Sequence, residues 1–205
     1  MKTNLKAKCV SADFASIFEK KGYSFFTKGE YNLNFFGVRK NNNNKVTNLY
    51  DDCLVLDYNT LTGHKRYIYS ITTEPGISLM KRPSNPKGTA ILAPGQYKGV
   101  YKIDLHNGKY QALCQRNGAV KVYRDNNKDS VYDLLPEKTE KGYFGINIHR
   151  SNETWIRNTV DNYSAGCQVF NDPKEFASFM AIVKKAANIW GNKFTYTLLD
   201  EDELD

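Results

Sequence analysis

Strand-length apolar runs, each cut short by glycine, proline or asparagine, recur along most of this chain and exclude an all-helical fold. They span Leu33 to Val38, Leu54 to Tyr58, Tyr67 to Thr72, Val100 to Leu105, Tyr110 to Gln115, Val120 to Tyr123, Tyr143 to His149 and Lys193 to Leu199. The Asn41–Asn44 tract and Thr62-Gly63 separate the first three, which predicts a meander there. Phe144, Ile146 and Ile148 alternate, so a strand at Tyr143 to His149 would turn all three into the core. Between Thr73 and Gly99 prolines and glycines cluster, and the chain is expected to turn repeatedly with short extended pieces between. The 14 Tyr and 11 Phe fit this β-rich reading, because aromatic side chains suit a pleated, half-buried surface.

Two helical patterns interrupt the strands. Ser11 is placed to cap a short helix with Phe14, Ile17 and Phe18 on its apolar face and Gly22 at its end. The longer pattern runs from Pro173 to Trp190. Asp172 is its cap, Pro173 takes the first position, Glu175 completes a capping box, and Gly191 stops it. Phe176, Phe179, Met180, Val183, Ala187 and Trp190 fall on one stripe. The expected fold is mainly β with α in a single domain over residues 1–205, with 1–66 packed on the core as an N-terminal extension and 200–205 as an acidic tail.

The net charge is +7, and the tail holds Asp200, Glu201, Asp202, Glu203 and Asp205, so the rest of the chain is more basic still. Such a field favours an anionic polymer, either nucleic acid or a bacterial wall with acidic stem peptides. No nucleic-acid motif accompanies it. No run reaches the roughly 18 apolar residues of a spanning helix, and Met1 to Val10 lacks the apolar stretch of a signal peptide, which predicts cytosolic synthesis. Cys9, Cys53, Cys114 and Cys167 form no Cys-x-x-Cys pair, so reduced thiols are expected instead of a disulfide framework or zinc site.

One segment carries chemistry. Gly145-Ile-Asn-Ile-His149-Arg150 puts a histidine at a strand end, and after Arg150 to Tyr163 comes Ser164-Ala-Gly166-Cys167. A thiolate is the reactive form of cysteine, an imidazole can generate it near neutral pH, and a glycine lets backbone N–H groups approach a developing oxyanion. Cys9, Cys53 and Cys114 have no base or glycine turn beside them and read as structural. His64 and His106 sit in polar, turn-like contexts, with His106 able to line a cleft. Asp125, Asn127 and Asp129 place oxygen ligands at alternate positions, half of a calcium loop; Ser130 at position six and Pro136 at position twelve favour a polar turn instead.

His149, Ser164, Gly166 and Cys167 match the signature of the L,D-transpeptidase family, which this chain resembles over roughly Tyr67 to Leu199. Ala93-Pro94-Gly95-Gln96-Tyr97 is similar to another segment of that family. The resemblance implies an L,D-transpeptidase-like sandwich or barrel in which Cys167 attacks a peptide carbonyl and His149 takes and returns the proton. It further implies that Gly166 and Cys167 amides hold the oxyanion, that the Arg150 carbonyl fixes the imidazole tautomer, and that Ser164 supports the loop. Tyr97, His106 and Arg157 become candidate substrate contacts. Two positions depart from the family: Arg150 stands where a small residue is usual, and Val169 where an arginine is.

These readings imply no cofactor or metal, bacterial peptidoglycan as partner, no nucleic acid, no membrane and a monomer. The leading expectation is a hydrolase of the stem peptide or cross-bridge acting through a cysteine acyl-enzyme, in the manner of a phage lysin or virion-borne wall hydrolase. A transpeptidase or carboxypeptidase remodelling bacterial peptidoglycan is the alternative. A wall-binding protein without catalysis is the third, disfavoured because such a module has no use for both His149 and Cys167.

Overall fold

The computed structural model describes residues 4–129 and 131–204; Met1 to Thr3, Ser130 and Asp205, which enter the readings of the N-terminus, the polar turn and the acidic tail, lie outside the described residues. Among the described residues the architecture is mainly β: a closed eight-stranded barrel, a small three-stranded sheet and four α-helices. The barrel strands are β1 (Asn34–Arg39), β2 (Asp52–Thr60), β3 (Gly63–Thr72), β5 (Gly95–His106), β6 (Tyr110–Gln115), β9 (Ile148–Arg150), β10 (Gln168–Phe170) and β11 (Phe194–Asp200). They run in the order β1-β11-β5-β6-β9-β10-β3-β2, closing through β2 onto β1. The pairings β1 with β11 and β9 with β10 are parallel, and the others are antiparallel. β4 (Thr89–Leu92), β7 (Val120–Asp125) and β8 (Thr139–Gly142) form the small sheet in the order β4-β7-β8.

The expected meander is present as β1-β2-β3, so the stretch expected as an extension packed on the core supplies barrel staves from residue 34 on, as well as the two helices before it that pack outside them. Alternation explains the layering. Leu54, Leu56 and Tyr58 of β2 enter the main core, whereas Cys53 and Val55 face α1 (Leu5–Ser11) and α2 (Phe14–Lys20) on the outer side. Ser11 ends α1 and does not cap α2: the Asp13 side chain accepts from Ser16 N–H, the N-cap geometry that a carboxylate reaches best. Gly22 follows α2 with φ of 66°, as the stop requires.

The long helix, α4 (Pro173–Trp190), occupies the expected span, with Asp172 accepting from Lys174 N–H and Gly191 as its C-cap. Phe176, Phe179, Met180 and Val183 enter the same core as the inward faces of the staves, each such burial contributing about 1.5–3 kcal/mol. Trp190 departs from the stripe. It is half exposed, and its indole N–H donates to the Glu30 carbonyl. The turn-rich segment contains α3 (Ile77–Lys81), whose Met80 packs with Ile91, Tyr123 and Tyr132 beneath the small sheet. The acidic tail is ordered as a 3-10 turn at Glu201–Leu204, where Glu201 and Glu203 pair with Lys8 and Lys21. Among the described residues no helix is long and apolar enough to cross a membrane.

Candidate active site

The strand expected from Tyr143 to His149 is shorter than its alternation suggested: only Ile148–Arg150 pairs, as β9. Gly145, with φ of 70°, breaks the extended run. Backbone groups there bond a side chain instead of a neighbouring strand. Gln115 Oε1 accepts from Phe144 N–H and Ile146 N–H, and its Nε2 donates to the Gly142 carbonyl. Ile146 and Ile148 are nonetheless buried as expected, and Phe144 packs against the same core.

β9 and β10 place the two expected catalytic side chains on one face. Their parallel register pairs Val169 with His149 and Gln168 with Ile148. Cys167 lies two positions before Val169, so it shares a face with His149 and Asn147, while Ile148 and Phe170 point into the core. The Cys167 side chain is partly buried against the cluster of Tyr50, Val160 and Val169. Its sulfur accepts from Asn147 N–H at 3.4 Å and its S–H donates to the Gly145 carbonyl at 3.4 Å. His149, only 5% exposed, directs Nδ1 to the Arg150 carbonyl at 2.8 Å. A carbonyl can only accept, so the proton sits on Nδ1 and Nε2 keeps its lone pair. Tyr110 shares that carbonyl, donating its hydroxyl at 3.1 Å. Among the described residues no hydrogen bond joins the sulfur to His149, so the thiol rests turned toward Gly145.

Burial pushes the Cys167 thiol up to about 11, against the helpful Asn147 N–H. Burial, and then His106, push His149 down to about 3, which the Arg150 carbonyl only partly resists. The resting pair is therefore neutral thiol and neutral imidazole.

Ser164 holds the loop as expected: its hydroxyl donates to the Cys167 carbonyl at 2.8 Å and accepts from Gly166 N–H at 3.2 Å. That second bond engages, at rest, one of the two amides expected to hold the oxyanion. Gly166 N–H is already engaged, and among the described residues only the Cys167 amide of the expected pair lacks a partner. Gly166 answers a different need: its φ is 109°, and a Cβ there would stand 2.1 Å from the Ala90 carbonyl oxygen of β4. From inside the barrel Gln168 braces the same loop, donating to the Gly166 carbonyl and accepting from the Tyr196 hydroxyl at 2.8 Å.

The remaining candidates separate. His106 belongs to the site, its ring stacked on that of His149 with centroids 4.0 Å apart. Tyr97 does not. It is buried with its hydroxyl donated to the Ala93 carbonyl, so it acts as a core brace for the start of β5 and not as a substrate contact. Arg157 lies over Tyr163, which packs against the same cluster of Tyr50, Val160 and Val169 as Cys167. The Arg150 guanidinium covers Tyr110 and pairs with Glu153 at 3.2 Å. At the expected polar turn Asp125 accepts from Asp133 N–H and the Asn127 amide donates to Asp129; among the described residues no group of three or more His, Cys, Asp or Glu that could hold a metal ion occurs. Asn147 and Gln115 were missed as site residues, since polar contacts between distant segments leave no periodic trace in a sequence.

Compared with family models, with curated proteins and with solved structures, the chain matches none.

Proposed function

We propose that this protein is a cysteine enzyme of the L,D-transpeptidase type that hydrolyses the stem peptide or cross-bridge of bacterial peptidoglycan, as a phage lysin or virion-borne hydrolase does. The observation that carries the reading is that Cys167 stands immediately before β10, whose Val169 pairs with His149 on the parallel strand β9, so that thiol and imidazole fall on one face, with His149 Nδ1 anchored on the Arg150 carbonyl and Nε2 left to act as base. In the reaction the Cys167 sulfur bonds the peptide carbonyl carbon as its proton passes to His149 Nε2. The C–N bond then breaks, and the amine leaves with that proton. Water, deprotonated by the same nitrogen, cleaves the thioester and restores the thiol. A cavity of about 290 Å³ adjoins the reactive loop at Ala165 and is lined by Tyr143, Phe144 and Arg124, the last paired with Glu140, offering aromatic and polar contacts to a stem peptide.

Mass spectrometry of a digested sacculus tests this. Cys167→Ala and His149→Ala should each lower cleavage by about a thousandfold or more, because the two act as a unit. Cys53→Ala and Cys114→Ala should still cleave. Full activity in Cys167→Ala would sink the cysteine mechanism. With excess free D-amino acid the products should be hydrolysed stems; predominant incorporation would make the enzyme a transferase with the same two residues.

A further inference from the structure

Asn147 is bonded at every polar atom it has. Its backbone N–H donates to Cys167 Sγ, and its carbonyl accepts from Gln168 N–H at 2.8 Å. Its side chain lies between Gln115 N–H, 2.9 Å from Oδ1, and His106 Nδ1, 3.1 Å from Nδ2. A backbone N–H can only donate, so the amide oxygen must face Gln115 and the NH₂ must face His106. The Nδ1 of His106 is therefore an acceptor, and its ring proton belongs on Nε2. There the side-chain amide of Asn107, 3.1 Å away, can turn its oxygen to receive it. His106 and His149 thus stack face to face, 21° from parallel, in opposite tautomers.

We infer that Asn147 and His106 are positioning residues: Asn147 clamps His106 in its Nε2–H form, and the neutral ring so held keeps His149 oriented and, with no cation stacked beside it, able to take the Cys167 proton. This rests on the proposed role of the Cys167–His149 pair. The surroundings agree with it. Toward His106 stand Arg116, itself paired with Asp104 at 2.9 Å, the ring of Tyr110, and Asn107. Toward His149 stand the Tyr110 hydroxyl and the Arg150 carbonyl. The thiols of Cys167 and Cys114 lie nearby and are both pushed up by burial. Among the described residues no carboxylate bonds either ring, and burial followed by Arg116 holds His106 below its usual value. A carboxylate at position 147 would reverse the arrangement, because it accepts from His106 Nδ1–H and favours the imidazolium, placing a cation 4.0 Å from His149.

Long-range ¹H–¹⁵N spectra of the full chain can read all three histidines, with His64→Gln and His106→Phe giving the assignments. The wild-type protein should show His106 as Nε2–H and His149 as Nδ1–H. In Asn147→Asp, nearly the same shape, His106 should move to the Nδ1–H or cationic form and titrate at higher pH. Wall cleavage by that variant should fall about tenfold or more at pH 6 and recover at pH 8, a profile that loss of packing alone does not give. Nδ1–H on His106 in the wild type, or an unmoved His106 titration in Asn147→Asp, overturns the inference. The wild-type spectrum needs no variant, so a misfolded Asn147→Asp chain leaves the test standing. Both tautomers as expected in a protein that cleaves no wall would fail the proposed function alone. Cys167-dependent cleavage with His106 as Nδ1–H would fail this inference alone.

Discussion

Arg39, Glu74 and Asp52 form one buried polar cluster, and Cys167, His149, His106 and Asn147 form another. The first manages burial with charge. Arg39, 3% exposed, lies 3.5 Å from Glu74 and donates to the Thr73 hydroxyl and the Leu92 carbonyl. Asp52 accepts from both Thr73 N–H and its hydroxyl, yet burial still pushes its carboxyl up to about 6, and pushes Glu74 well above the usual range. The second cluster contains no carboxylate, and every titratable member is pushed toward its neutral form. A buried cation held by carboxyl, hydroxyl and carbonyl oxygens fixes one arrangement and resists change. Buried neutral groups with complementary tautomers keep a proton ready to move, which is what a general base needs.

The sharpest way to break this contrast is to remove the cation. Arg39→Leu strands two carboxyl groups in the interior and should cost about 3–5 kcal/mol, read as a lowered denaturant midpoint. Activity per folded molecule should stay near wild type if this cluster is structural only. Adding Glu74→Gln should recover part of the loss. A stable Arg39→Leu protein would mean that both carboxyl groups are already protonated and need no partner.

Gly166→Ala comes next, because it strains the close approach of the reactive loop to the Ala90 carbonyl of β4. The added Cβ meets the Ala90 carbonyl at 2.1 Å in a φ region that alanine avoids, so about 2–3 kcal/mol of stability should be lost. Thermal denaturation measures this, and activity should fall further than stability explains, since the same shift moves Cys167 away from His149. Unchanged activity would show that the loop position is set by Ser164 and Gln168 alone.

The two clusters were unequally legible in the sequence. His149, Ser164, Gly166 and Cys167 stand out because residue type and spacing are local signals. α4 was readable to its ends because a cap, a proline, a periodic stripe and a glycine agree. Asn147, Gln115, Arg39 and Glu74 gave no such signal: each acts through a partner brought close only by barrel closure. His106 looked like a solvated turn residue, yet the β5–β6 hairpin carries it beside β9, where its ring covers His149. The apparent strand from Tyr143 failed for a related reason, as Gln115 replaces its ladder partner.

The smallest effect expected in the wild-type protein is its dependence of stability on pH, because the two clusters oppose each other. Asp52 is held at about 6 when folded, against about 3.9 in an unfolded chain, so the folded state binds the extra proton. Its contribution is fully present below about pH 4 and is lost as pH rises through 6; Glu74, also raised, adds in the same direction. His149 does the reverse. Held at about 3 when folded, against about 6.5 unfolded, it contributes fully above about pH 6.5 and loses that contribution as pH falls toward 3, with His106 acting in the same sense. Each group alone would tilt stability by a few kcal/mol, since a tenfold change in proton affinity is worth about 1.4 kcal/mol. Together, between about pH 4 and 6, they should leave a nearly flat melting temperature. Asp52→Asn should expose the histidine slope, with stability rising with pH, and His149→Phe should expose the carboxyl slope, with stability falling. Identical profiles for the two variants would show that neither group carries a shifted proton equilibrium in the folded state. Opposite slopes would establish that the two clusters resist protonation change in contrary directions.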